Sequence, residues 1–383
     1  MKYRIPFNKP YATGVETTYI QQAMTAGKIS GDGLFTKQCQ AFFEQRYGFK
    51  KCLLTPSCTA ALEMAAILIH TQPGDEIIAP SYTFVSTVNA FVLRGANIVF
   101  ADSQANHPNI EEEQLEALIT PKTKAIVVVH YAGTPCNMNV VLALAEKYNL
   151  FVIEDAAQAV DSYYTSYDPA INKPLGGIGH LAAFSFHETK NIMAGEGGML
   201  VINEPLFIER AEIIREKGTN RAQFFRGKIE RYQWIDVGSA YLPSEITAAF
   251  LFAQLEHLDD IQRRRTAIWQ RYYKALTPLK EKDLVALPRS DNASIFYLVC
   301  RNQQERDGLI NFLKTRDILA VFHYLPLHSS PYYQARYKGK PLPHCDRFAA
   351  CLVRLPLYYE LTEAAQEEVI EAVFQFYNQA LSS

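Results

Sequence analysis

Lys190 lies in the run Phe-Ser-Phe-His-Glu-Thr-Lys-Asn (184–191), and the glycine-rich Gly-Glu-Gly-Gly (195–198) follows it. An apolar run that breaks into a polar turn, then a hairpin before the next apolar run, sets this amine at the mouth of a sheet, where it can form a Schiff base with a carbonyl. The competing reading is an ordinary loop lysine facing water. Asp155 ends the apolar run Val152-Ile-Glu-Asp155, at the strand edge where α/β sheets bind ligands. It could equally cap a helix that begins at Ala156. Gln158 follows one helical turn later. In Leu-Thr-Pro-Ser-Cys-Thr (54–59) a strand leads into a helix whose first turn carries Ser57, Cys58 and Thr59. Free backbone N–H groups there make a phosphate cradle, although Ser and Thr at a helix start are first of all caps. Amine, acid and cradle are the three groups that pyridoxal phosphate (PLP) asks of a protein. The acid keeps the pyridine nitrogen protonated, so that the ring can accept electrons from a substrate carbon.

These groups need a scaffold, and the pattern from Lys51 to Asn203 supplies one. Short apolar runs at 52–55, 76–79, 97–101, 125–130, 151–154, 182–186 and 199–203 alternate with helix-like segments at 59–70, 83–94, 110–119, 140–148 and 207–217. Such alternation predicts an α/β fold, a large mostly parallel sheet sandwiched by helices. The stretch 162–180 reads as a loop inside this domain. A long helix is expected over 244–273 with Ser244 as its N-cap. Beyond it, strands at 295–300 and 320–324 and helices at 304–315, 347–353 and 362–381 predict a smaller C-terminal α+β domain. Residues 1–255 and 256–383 are the expected units.

Composition narrows the partners. With 38 Lys and Arg against 40 Asp and Glu, the net charge of -2 gives no field for nucleic acid, while a local basic cleft for a phosphorylated ligand stays open. No apolar run approaches the length of a membrane span, and residues 1–10 carry no signal-peptide pattern, so a cytoplasmic protein is expected. The seven cysteines form no CxxC pair, which suggests neither a zinc site nor a disulfide framework. The first strand–helix turn lacks GxGxxG, which argues against a dinucleotide-binding enzyme.

The three chemical segments, in this order and spacing, resemble the DegT/DnrJ/StrS family of PLP-dependent nucleotide-sugar aminotransferases over nearly the whole chain. The resemblance implies the fold type I architecture of PLP enzymes, with Lys190 as the Schiff-base lysine and Asp155 as the partner of the pyridinium. It also implies that Gln158 lies close to the cofactor ring, that Ser185 joins Ser57, Cys58 and Thr59 at the phosphate, and that Phe84 stacks on the ring. Lysine at position 190 separates the chain from the sugar dehydratases of this fold, which carry histidine there; a PLP-fold regulatory protein is the non-enzymatic alternative.

Further runs, among them Thr-Pro-Ser-Cys-Thr (55–59), Val-His-Tyr-Ala-Gly (129–133), Arg-Glu-Lys-Gly-Thr-Asn-Arg (215–221) and Val-Phe-His-Tyr-Leu-Pro-Leu-His (321–328), are similar to one branch of the family. That branch transfers the amino group of L-glutamate to carbon 4 of dTDP-4-dehydro-6-deoxyglucose, giving dTDP-4-amino-4,6-dideoxygalactose for surface polysaccharide of the enterobacterial common antigen type. The resemblance further implies a homodimer with composite active sites, and substrate contacts from Arg221, His323, Tyr324 and His328. Packing at a strand end accounts equally for the last three, and a solvated helix end for the charged stretch 215–226. Two departures stand out. Cys58 sits where many members have glycine, and Ala240, in Val-Gly-Ser-Ala-Tyr-Leu (237–242), replaces an asparagine that members send into the neighbouring subunit's site, leaving Ser239, Tyr241 or backbone for that contact.

Overall fold

A computed structural model describes residues 3–165, 172–289 and 292–382. Helices α1 (Glu16–Thr25) and α2 (Leu34–Tyr47) lead into β1 (Lys51–Thr55), β2 (Glu76–Pro80), β3 (Asn97–Ala101), β4 (Thr123–Val129) and β5 (Phe151–Asp155). A hairpin of β6 (Tyr163–Thr165) and β7 (Asn172–Pro174) precedes β8 (Leu181–Ser185) and β9 (Gly198–Ile202). Apart from that hairpin these strands form one seven-stranded sheet in the order β1-β9-β8-β5-β4-β2-β3. Only β9 runs against the rest, pairing antiparallel with both β8 and β1. The connection explains the direction: β8 and β9 are joined without a helix, whereas parallel neighbours need a crossover. Because β1, β5 and β8 point the same way, their C-terminal ends share one edge, with Gly198 in register with both Thr55 and Ser185.

Both faces of the sheet are buried, which is why its strands are apolar throughout rather than alternating. Leu53, Ile153 and Leu200 pack on one side with α3 (Cys58–Leu68), while Leu54, Ala182 and Met199 pack on the other with α2. Helices α4 (Ser86–Val92), α5 (Met138–Tyr148), α6 (Ile208–Arg215) and α7 (Arg221–Phe225) complete this half, and α8 (Glu245–Glu256) and α9 (Leu258–Glu281) follow. A second, antiparallel sheet joins β10 (Val285–Ala286), β11 (Phe296–Cys300) and β12 (Leu352–Leu355), and α10 (Gln303–Lys314), α11 (Pro343–Cys351) and α12 (Glu363–Ser382) accompany it. Its core, around Tyr272, Phe296, Leu309, Val353 and Val373, also takes in Ile5 from the N-terminal segment.

The long helix expected over 244–273 is two helices. Ser244 does cap the first, accepting the Thr247 N–H, but the chain turns at His257. The reason is that Ala248 and Leu255 pack under the large sheet while Ile268 and Leu276 belong to the C-terminal core, so one straight axis cannot serve both. The segment 83–94 is helical only from Ser86, and 110–119 forms a 3-10 helix over Glu112–Leu118. The helix expected over 347–353 runs from Pro343 to Cys351 and gives way to β12, because Leu352 and Val353 are claimed by pairing with β11. The strand expected over 320–324 is reduced to one bridge, Val321 to Arg354. Within the expected loop 162–180, residues 166–171 lie outside those described, and the flanks pair as the β6–β7 hairpin.

Candidate active site

The turn from β1 into α3 is shaped by what lies beneath it. A Cβ on Gly198 would come within 2.2 Å of the Ser57 carbonyl carbon and 2.3 Å of the Cys58 nitrogen, so glycine is required for β9 to begin there. The Ser57 side chain accepts the Ala60 N–H at 3.1 Å, capping α3. That leaves the amides of Cys58 and Thr59 as donors with no acceptor inside the helix, at its positive end. The Thr59 hydroxyl is fixed against Ser86 Oγ at 2.7 Å. Ser185, at the end of the adjoining β8, is buried.

Asp155 sits at the end of β5, also buried. Its Oδ2 accepts the Thr87 hydroxyl at 2.7 Å and its Oδ1 the Ala157 N–H at 3.1 Å, while Thr83 steadies Thr87 at 2.8 Å. Burial pushes the carboxyl upward from its ordinary range; the Thr87 and Ala157 hydrogen bonds and the charge of Lys190 pull it back. Gln158 is held at both ends, accepting the Ala132 N–H at 2.8 Å and donating to the Tyr324 hydroxyl at 3.1 Å.

Lys190 stands in the turn after β8, its backbone N–H donating to His187 O at 2.9 Å. Loss of water pushes its amine down from the ordinary lysine range, Cys58 and Asp155 oppose that shift, and Arg354 adds to it. No hydrogen bond among the described residues engages the Lys190 amine. The next residue is tied firmly: Asn191 donates to Gln262 Oε1 at 2.7 Å and to Asn292 O at 2.8 Å, and Asn292 donates to the Gln158 carbonyl at 2.7 Å. The lysine is thus free at its tip and anchored at its base.

A cavity of about 400 Å³ joins these groups, lined by Ser57, Cys58, Thr59, Phe84, Asp155, Gln158, Ser185 and Lys190, with His323, Tyr324 and Arg354 on the C-terminal side. Phe84 lines the cavity and is 57 % exposed. His323 Nδ1 lies 2.6 Å from the Tyr131 hydroxyl, and its ring stacks on Tyr324 with ring centres 3.6 Å apart. Burial, with Arg354 and Lys190, drives its pKa well down and keeps it neutral. His328 is buried outside the lining, with Nδ1 2.8 Å from Ser81 Oγ. Arg221 is also outside it, exposed over the Phe225 ring. Tyr241 turns inward and donates to Glu63, and Arg215, at the start of the charged stretch expected to be solvated, is buried with Nε on the Leu54 carbonyl at 3.0 Å.

Sequence reasoning missed Thr87, Asn191 and Arg354. Only Arg354 carried a local signal, a lone charge in the apolar run Leu-Val-Arg-Leu-Pro-Leu (352–357).

The lining suits PLP: helix-start amides for a phosphate, a buried acid on a neighbouring strand end and an amine with no competing hydrogen bond. Fold and site define the class, an α/β enzyme of the PLP-dependent aminotransferase kind. A profile of the DegT/DnrJ/EryC1/StrS aminotransferase family matches residues 11–374, and the chain belongs to that family. Its cofactor is pyridoxal phosphate. The chain is 34 % identical over 381 residues to the spore coat polysaccharide biosynthesis protein SpsC of Bacillus subtilis, covering 96 % of each chain. Among solved structures, DesV of S. venezuelae superposes with a TM-score of 0.85 at 28 % identity over 98 % of both chains. The PLP form of the putative sugar aminotransferase Spr1654 of Streptococcus pneumoniae gives 0.88 at 24 % identity, over 98 % of this chain and 99 % of that one. No helix among the described residues is long and apolar enough to cross a membrane.

Proposed function

We propose that the chain is a cytoplasmic sugar-nucleotide transaminase that moves the amino group of L-glutamate to carbon 4 of dTDP-4-dehydro-6-deoxyglucose. The products are 2-oxoglutarate and dTDP-4-amino-4,6-dideoxygalactose, a precursor of surface polysaccharide of the enterobacterial common antigen type. The observation that carries the reading is one cavity lined by a lysine amine, a strand-end acid and an open helix start. Kinship with SpsC, a polysaccharide biosynthesis protein, supports a sugar acceptor.

Bound in this cavity, PLP supplies the electron sink that makes the substrate carbon acidic. Lys190 is its covalent attachment point. Ser57, Cys58, Thr59 and Ser185 hold the phosphate, Phe84 covers the ring, Gln158 keeps its wall in place, and Asp155 maintains the proton on the ring nitrogen. The Lys190 amine would take the proton from the α-carbon of glutamate and, in the second half-reaction, would deliver one to carbon 4 of the sugar. Burial favours the neutral amine this requires. His323 and Tyr324 border the sugar. Residues 1–255 form the cofactor domain and 256–383 the smaller one, and two copies pair so that Arg221 and its loop serve the partner's site.

The test is an assay of purified protein with L-glutamate against a panel of dTDP- and UDP-linked keto sugars. Formation of 2-oxoglutarate with dTDP-4-dehydro-6-deoxyglucose well above every other acceptor is expected. A clear preference for another keto sugar would replace the substrate while leaving transamination intact.

A further inference from the structure

A threonine inside a helix ordinarily bonds its hydroxyl back to the carbonyl four residues earlier. Thr87, in the first turn of α4, does otherwise. It is fully buried, and its hydroxyl donates to Asp155 Oδ2 at 2.7 Å, 68 positions along the chain. Thr83, four positions before it and also buried, sets its Oγ1 2.8 Å from Thr87 Oγ1. Thr83 lines the cavity and Thr87 does not. Two buried hydroxyls carry a desolvation cost that valines of the same shape would avoid, so the hydrogen bonds they make must be what keeps them there.

The direction of this chain follows from the group at its end. Oδ1 of Asp155 accepts the Ala157 N–H at 3.1 Å, so each oxygen is tied from a different side and the carboxyl plane is fixed. Hydrogen bonds to an ionised acceptor are roughly twice as strong as neutral ones, so the Thr87 hydroxyl favours the carboxylate over the acid. With Asp155 ionised, Thr87 donates to it and Thr83 donates to Thr87. Burial pushes the Asp155 carboxyl up; the Thr87 hydroxyl is the largest pull the other way, ahead of the Ala157 N–H, Lys190 and His130. His130 itself lies 2.9 Å from Glu154. Cys58 from α3 and Tyr324 from the C-terminal side also face Asp155, and burial pushes both up and leaves them neutral. Among the side chains around Asp155, Thr87 therefore does most to keep it charged.

We propose that Thr87, with Thr83 behind it, is a positioning residue for the cofactor's ring nitrogen: its hydroxyl holds Asp155 as an ionised, oriented acceptor for the ring N–H. This rests on Asp155 being the partner of that nitrogen. The test titrates the full chain, freed of cofactor, by equilibrium dialysis with PLP and with the carbocyclic analogue in which C–H replaces the ring nitrogen. Thr87→Val keeps the shape without the hydroxyl. It should weaken PLP about 10-fold, the loss of one hydrogen bond to a charged group, and leave the analogue within about twofold of the natural protein. As pH is lowered, PLP affinity should begin to fall at a higher pH in Thr87→Val, because Asp155 without its donor takes up a proton sooner. Thr87→Ser should restore the natural preference for PLP, and Thr83→Val should lie between. Equal weakening of PLP and analogue in Thr87→Val overturns the proposal and makes Thr87 a packing residue. A preference unchanged in Thr87→Val but abolished in Asp155→Asn also overturns it, while leaving Asp155 its role. No preference for PLP in the natural protein, or one that survives Asp155→Asn, would remove the role of Asp155 and this proposal with it.

Discussion

The cavity wall and the segment 217–237 are both rich in polar and aromatic residues, yet the structure treats them in opposite ways. At the wall, Asp155, Gln158 and Ser185 are buried; hydrogen bonds from Thr87, Ala157 and Ala132, and one that Gln158 donates to the Tyr324 hydroxyl, fix the first two. In the segment, Trp234 is 79 % and Phe225 69 % exposed. Still, the segment is not slack: Ile235 N donates to Gly218 O at 2.8 Å, and Arg210 pairs with Asp236 at 2.7 Å. A backbone this well tied that presents large apolar side chains to water is shaped for contact outside its own chain. The wall's side chains are held by partners in their own chain, the segment's large apolar side chains lie exposed, and the dimer proposal rests on that contrast.

Breaking the wall should have the largest effect. Asp155→Asn removes the acid while keeping the side chain's shape, and turnover should fall by about 100-fold or more while the protein still binds cofactor, seen in its visible spectrum. An Asp155→Asn enzyme near natural activity would contradict the assignment. The segment should show a different signature. Phe225→Asp with Trp234→Asp should shift the protein from dimer to monomer in sedimentation and lower activity together with mass, leaving the fold intact by circular dichroism. The two regions can then be joined in one experiment, mixing a Lys190→Ala chain with a chain inactivated in the loop 221–226. Activity regained after subunit exchange, up to about a quarter of the natural value per total site, is expected if each site draws on both chains. No recovery despite proven exchange would mean that each site is built within one chain.

Smaller effects sharpen the wall's own architecture. Gly198→Ala forces a methyl against the Ser57–Cys58 backbone. It should weaken cofactor affinity and lower stability by about 1–3 kcal/mol in denaturant unfolding. Beyond the cavity, His107 is buried and its pKa is lowered to about 3 by desolvation. The unfolded chain takes up that proton near the ordinary histidine value, so His107 makes stability fall as pH drops from about 6.5 towards 3. His107→Asn should flatten that part of the pH–stability profile, measured as the urea midpoint.

Much of this was legible beforehand, for identifiable reasons. The strands of the large sheet fall within two residues of the apolar runs, since a sheet buried on both faces writes continuous hydrophobicity into the chain. Lys190, Asp155 and the Ser57–Thr59 turn stand out because each ends or follows a strand at the edge where α/β sheets bind ligands. Arg354 did not, since its run was read up to Val353 as helix and only pairing with β11 reveals a strand. Asn191 and Gln262 are 71 positions apart, so their contact leaves no local trace. The break at His257 likewise follows from two cores competing for one helix. A solvated reading of 215–226 was available and fits Phe225, while the exposure of Trp234 was not readable, because an isolated aromatic looks in sequence like a core residue.

The central claim is that Lys190 carries the cofactor. Borohydride reduction of the holoenzyme, followed by proteolysis and mass spectrometry, tests it most directly. The modification should map to the single peptide containing Lys190 and be absent from Lys190→Ala. Labelling of another lysine in the natural protein, with Lys190 unmodified, would contradict the account.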